Sequence, residues 1–110
     1  MRPIPKKLRE QIARDPFMSV CIYQSHDAPN HNCRGRITWE HSYTYKNRQI
    51  QEPALIVPCC ENHNSGPAMN KDYNRYRAII RADIDELSIK YPNKNWRQEL
   101  KYLQNKFRKI

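Results

Sequence analysis

Glycine is nearly absent from this chain: two residues in 110, Gly35 and Gly66. With so few, there is no low-complexity tract, and the two glycines stand as punctuation on either side of a polar centre. Apolar residues are scarce as well, at 38% of the chain, with a mean hydropathy of −1.03. The longest apolar run, residues 54–60, is far too short to span a bilayer. The opening stretch MRPIPKKLRE carries charge and prolines but no apolar segment, so nothing there reads as a secretory signal. Acidic residues are outnumbered, eleven against twenty Lys and Arg, for a net charge of +9. That balance favours polyanionic partners, nucleic acid before anionic membrane, because no basic amphipathic anchor is present.

What is present is cysteine, four of them, in a chain at the small end of what buries its own core. Cys59 and Cys60 are adjacent, a poor start for a disulfide framework. In a chain without a secretory signal, four thiols read as metal ligands, and the expected compartment is a reducing cytoplasm. A structural metal also compensates for a modest core.

Along the chain, residues 5–14 carry Leu8 and Ile12 at helical spacing and are stopped by Asp15-Pro16. Residues 21–33 are polar and loop-like. Residues 36–41, RITWEH, alternate β-branched and aromatic positions and predict a strand. A turn at Lys46-Asn47-Arg48 leads to residues 54–57, its expected partner strand. Beyond Gly66 the period becomes helical. Tyr76, Ile80, Ile84, Leu87 and Tyr91 form one apolar stripe, broken at Pro92, and Trp96, Leu100, Leu103 and Phe107 form another. Tyr76, Trp96 and Phe107 are expected in the core. The opposite faces carry Arg75, Arg81, Lys101, Lys106 and Arg108, which suit phosphates and plain solvent equally. The fold class that follows is α+β, a β-hairpin feeding a helix, with one helix before it and others after.

The polar centre is PCCENHN, residues 58–64. Cys60 and His63 are spaced C-x-x-H, and on a helix beginning near Glu61 both can turn toward one point. Cys21 and Cys33 are the only thiols upstream, so the simplest structural zinc site is Cys21, Cys33, Cys60 and His63. His26 and His31 are rivals from the loop. Neighbours on a strand face opposite ways, so Cys59 is left over. Successive helical residues point about 100° apart, so with His63 on zinc, Asn64 looks elsewhere, toward the strand end carrying Glu40 and His41.

WEH at 39–41 followed by C-x-x-H-N at 60–64 resembles the HNH endonucleases, the ββα-metal nuclease family. More narrowly, GRITWEH, RQIQEPALIVPCCENHN and RADIDELSIKYPNKNW resemble small zinc-stabilised HNH-like proteins of phage and prophage, over residues 20–107. The resemblance implies one HNH-like domain over 1–110, with a lead-in helix in 1–20, the zinc site and ββα-metal core in 21–67, and helices in 68–110. It implies His41 as general base and Glu40 and Asn64 as ligands of a catalytic Mg²⁺ or Mn²⁺, beside the structural zinc. Oxygen donors suit such hard cations. Hydrolysis of a phosphodiester needs an activated water and positive charge against the departing oxygen, and one imidazole plus one cation supply both. The chain departs from the family at Leu55, where an Asn is usual, and at Ala68, where many members have a second His; Asn47 or Gln49 are the nearest substitutes for the former.

The expected activity is metal-dependent cleavage of DNA, in phage or prophage DNA processing or recombination. Arg36, Lys46, Arg48 and Lys71 lie near enough in sequence to contact phosphates. The departures motivate two alternatives: a zinc-stabilised nucleic-acid-binding protein whose nuclease site has decayed, and a phage-encoded inhibitor that binds another protein on the same frame.

Overall fold

A computed structural model describes residues 4–26, 28–46, 48–64, 66 and 69–107. Helix α1, Lys6–Ala13, starts after Pro5, whose fixed φ suits a helix entry, and gives way to Asp15-Pro16. The Asp15 carboxylate accepts from Phe17 N–H at 3.0 Å and opens a short 3-10 turn, Pro16–Ser19. Ile12 of α1, Met18 of that turn and Ile56 form a small buried cluster with Trp39 against it. A second 3-10 turn, Ile22–Gln24, follows Cys21.

Strand β1, Ile37–His41, pairs antiparallel with β4, Ile56–Cys60, in the register Ile37 with Cys60, Thr38 with Cys59, through to His41 with Ile56. Between them, β2 (Thr44–Tyr45) and β3 (Arg48–Gln49) make a second small antiparallel pair, with Lys46 at φ 52° in its turn. Asn47 lies outside the described residues. The expected partner strand at 54–57 is shifted: Ala54 belongs to a 3-10 turn, Pro53–Leu55, and the strand runs on to Cys60. Pro58 is tolerated inside it because a two-stranded sheet leaves each strand one unpaired edge, where a missing N–H costs nothing.

All five residues of β4 are buried. Ile56 faces Ile12 and Met18, while Val57 and Cys59 belong to the main core. A strand covered on both sides reads as a continuous apolar run without alternation. It leads directly into α2, Glu61–Asn64.

Helix α3, Lys71–Ile79, is capped by Asn70, whose side chain accepts from Tyr73 N–H at 3.0 Å. The stripe from Tyr76 to Tyr91 is divided between two helices. Helix α3 ends at Ile79 and α4, Ile84–Lys90, restarts on Asp83, which accepts from the N–H groups of Asp85 and Glu86. The local cap prevails over the apolar period, and Ile80 is left 44% exposed. Helix α5, Trp96–Phe107, carries the second stripe with Trp96 and Leu103 buried and Phe107 packed at the core's edge. The main core runs from Cys21 to Leu103, with Tyr23, Leu55, Tyr73 and Trp96 at its centre. The architecture is a mixed α+β one with small antiparallel sheets. Among the described residues no helix is long and apolar enough to cross a membrane.

Candidate functional site

β4 divides two polar clusters. On one side, Cys21, Cys33, Cys60 and His63 bring three sulfurs and one ring nitrogen within 4.8 Å of one another. Each comes from a different local structure: the residue before a 3-10 turn, a loop, the end of β4, and α2. His63 Nδ1 lies 3.1 Å from Cys60 Sγ and 3.7 Å from both Cys21 Sγ and Cys33 Sγ. A tetrahedral ion with bonds of about 2.3 Å to sulfur and about 2.0 Å to nitrogen needs sulfur–nitrogen edges of about 3.6 Å. The cluster could therefore hold a metal ion, and a soft set of three thiols and an imidazole suits zinc.

The surroundings agree. Asn30 Oδ1 stands 3.4 Å from His63 Nε2, the placement of an acceptor that fixes a ligand imidazole by its other nitrogen. The Tyr23 ring stacks on the His63 ring at 3.8 Å and 3°. Burial would raise the Cys60 thiol, but N–H groups of Arg34, His63 and Asn62 outweigh it and hold the pKa below its usual value. Burial, then the neighbouring Cys21 and Cys60, pushes Cys33 up to about 12. Three thiolates this close need a cation among them. Burial lowers the His63 pKa, toward the neutral form that a ligand needs.

Two glycines shape the frame. Gly35 has φ +83°, and a Cβ there would meet the Glu61 side chain at 2.8 Å. Gly66 N–H bonds Glu61 O at 3.2 Å, and a Cβ on it would meet Asn62 backbone oxygen at 2.7 Å. The loop rivals fall outside the cluster. His31 Nε2 bonds Ser25 O at 3.0 Å, and His26 is exposed.

On the other side of β4 lies the end of β1. Glu40 and His41 share one cleft of about 220 Å³ with Thr44, Lys71, Asn74 and Arg75. Strict alternation would send the two to opposite faces, but β1 ends at His41, so neighbours can serve one space. Gln51 Oε1 lies 2.7 Å from His41 Nε2. A carboxamide oxygen only accepts, so Nε2 carries the hydrogen and Nδ1 is the basic nitrogen. Glu40 Oε2 is held by Asn74 Nδ2, with Cys59 Sγ at 3.8 Å. Burial raises the Glu40 carboxyl to about 7, against the hydrogen bonds of Cys59 and Asn74 and the charges of Lys71 and Arg75.

Asn64 does not line this cleft. Its Nδ2 donates to Thr38 Oγ1 at 2.6 Å, so it sits over β1 two residues before Glu40, on the same face. Among the described residues Glu40 Oε1 and Asn64 Oδ1 have no partner, and both are hard oxygen donors suited to Mg²⁺ or Mn²⁺. Cys59 faces this side, away from Cys60.

Of the expected phosphate contacts only Lys71 lies in the cleft. Arg36 is exposed and paired with Glu61 at 3.2 Å; Lys46 and Arg48 are exposed on the β2–β3 pair. Leu55 is fully buried in the core, and Ala68 lies outside the described residues. Three neighbours were missed or misread from sequence. Gln51, ten residues after His41, returns to it across the loop between β1 and β4. Asn74 carried no expectation, and Arg75 was one of several bases suited to phosphate and solvent equally. The spacing of Lys71, Asn74 and Arg75, i, i+3 and i+4, puts the three on one helix face but does not say what that face meets. Comparison of the chain with protein-family models, with curated proteins and with solved structures finds no match.

Proposed function

We propose that the protein is a divalent-cation-dependent endonuclease of the HNH type, hydrolysing phosphodiester bonds of DNA in phage or prophage DNA processing or recombination. In this reading β1, β4 and α2 are a ββα-metal core, and zinc in the Cys21, Cys33, Cys60 and His63 cluster is its structural staple. The observation that carries the reading is the cleft at the end of β1, where Glu40 and His41 meet the cations Lys71 and Arg75.

His41 Nδ1 takes the proton of the attacking water while Gln51 fixes the ring through Nε2. Glu40 Oε1 and Asn64 Oδ1 hold Mg²⁺ or Mn²⁺, which when bound supplies positive charge against the departing oxygen. Lys71 and Arg75 seat the phosphate. Supercoiled plasmid incubated with Mg²⁺ or Mn²⁺ tests the reading. Nicked circles are expected, and no conversion under any divalent cation overturns it.

A second reading, a decayed zinc-stabilised nucleic-acid binder, is favoured by one observation. Leu55, buried at the position where the family has its Asn, offers the site nothing, and among the described residues Glu40 is the one carboxylate lining the cleft. That protein would bind nucleic acid in a salt-sensitive way and cut none.

A further inference from the structure

Two buried polar side chains stand behind Glu40. Asn74 is 2% exposed and Tyr23 fully buried, and groups so placed are costly unless each finds a partner. They find each other. Tyr23 OH lies 2.5 Å from Asn74 Oδ1, and Asn74 Nδ2 donates to Glu40 Oε2.

The direction of this chain is fixed by proton count. A phenol has one hydrogen to give. Its oxygen accepts from Asn70 N–H at 3.1 Å, and the hydrogen goes to the nearer of two acceptors, Asn74 Oδ1 at 2.5 Å rather than Asn70 O at 2.9 Å. The Asn74 carboxamide must then turn its oxygen to the phenol and its NH₂ to Glu40. Reversed, it would set a carbonyl oxygen against a carboxylate. Cys59 Sγ, 3.8 Å from the same Glu40 oxygen, crowds that side further. Glu40 is thus gripped by Oε2, and Oε1 is left for the cleft. Tyr23 is held in turn by its stack on His63.

We propose that Asn74, oriented by Tyr23, is the positioning residue of Glu40: it takes one carboxylate oxygen so that the other is presented to a divalent cation. The inference rests on the reading of Glu40 as a cation ligand. It makes Asn74 and Tyr23 parts of the reactive site although neither touches the cation, and it ties that site to the Cys3His cluster through one aromatic ring.

Mn²⁺ binding to the zinc-loaded protein, followed by the electron paramagnetic resonance of free Mn²⁺, tests it in wild type, Asn74→Ala and Tyr23→Phe. Tyr23→Phe keeps the ring on His63 and removes only the hydroxyl, so it guards against a fold defect in the first variant. Expected is a Mn²⁺ affinity roughly 10–100-fold weaker in both variants, the usual effect of losing a partner behind a metal ligand, with zinc content and circular dichroism unchanged. Variants that melt earlier yet bind Mn²⁺ within about twofold of wild type, a range far below that expected loss, overturn the proposal, because the pair is then structural only. Asn74-dependent Mn²⁺ binding in a protein that cuts no DNA upholds it and removes the nuclease reading. A wild type that binds no Mn²⁺ overturns both.

Discussion

Replacing Cys33 with alanine removes one corner of the Cys3His cluster while leaving the core untouched, since Cys33 is only half-buried at the core's edge. Cys33 and His63 are 30 residues apart in sequence. Chain-entropy reasoning for a cross-link closing a loop of that length gives about 3.6 kcal/mol. With the ion lost, the link from Cys21 to His63, 42 residues apart, opens as well, so about 3.6 kcal/mol is the least expected loss. A domain of this size has roughly 5–15 kcal/mol in all. The melting temperature should therefore fall by roughly 14–29 °C, using about 4–8 °C per kcal/mol. Plasma mass spectrometry and circular-dichroism melts on the same preparations check this, with Cys59→Ala as the comparison. Wild type and Cys59→Ala should carry about one zinc per chain, as a four-ligand site holds, and Cys33→Ala should carry little. A Cys33→Ala protein that melts with wild type while lacking zinc would refute the staple.

Further outcomes follow from the cleft and the core. The unfolded chain releases the Glu40 proton near 4.5 and the folded one near 7. Between those values the folded state holds more protons, so stability falls as pH rises to about 7 and is level beyond. Melts of zinc-loaded, Mg²⁺- and Mn²⁺-free protein from acid to neutral pH should show that slope reduced in Glu40→Gln; parallel curves would count against the burial of the charge. Lys71→Ala and Arg75→Ala should each weaken binding to duplex DNA and lower the salt slope by about 1 in fluorescence-anisotropy titrations. Arg36→Ala, outside the cleft and paired with Glu61, should do less. Trp96 is 1% exposed, bonded through Nε1 to Tyr91 O at 3.1 Å, and edge-on to Tyr43. Trp96→Ala should cost about 3–5 kcal/mol in denaturant unfolding, and Tyr102→Ala, half exposed on the same helix, within about 0.5 kcal/mol.

Local chemistry was legible in the sequence and long-range partnership was not. The convergence of Cys60 and His63 follows from three residues' spacing at a helix start. The separation of Cys59 from Cys60 follows from strand alternation alone. Cys21 and Cys33 could be assigned because no other upstream thiols exist. By contrast, the strand expected at 54–57 was placed short of Cys60, and burial on both faces hides the alternation that marks a strand's length. The break between α3 and α4 hides inside an unbroken apolar period, and its signal was Asp83 three residues before Glu86, a cap that outweighs the stripe. Asn74, Gln51 and Tyr23 carry no motif. Their roles arise from hydrogen bonds spanning 34, 10 and 51 residues, which no local pattern encodes. Asn64 shows the limit most clearly. Helix geometry turns it away from the Cys3His cluster toward β1, but which residue of β1 it meets, Thr38, depends on the register of the hairpin.

The proposal that this frame cuts DNA stands or falls on His41. Relaxation of supercoiled plasmid in Mn²⁺ should be compared for wild type and His41→Ala, both carrying zinc and both folded. Loss of a positioned general base predicts a rate lower by about 10²–10⁴-fold in the variant. Equal rates would contradict the account, since the cleft at the end of β1 would then not be where the bond is broken.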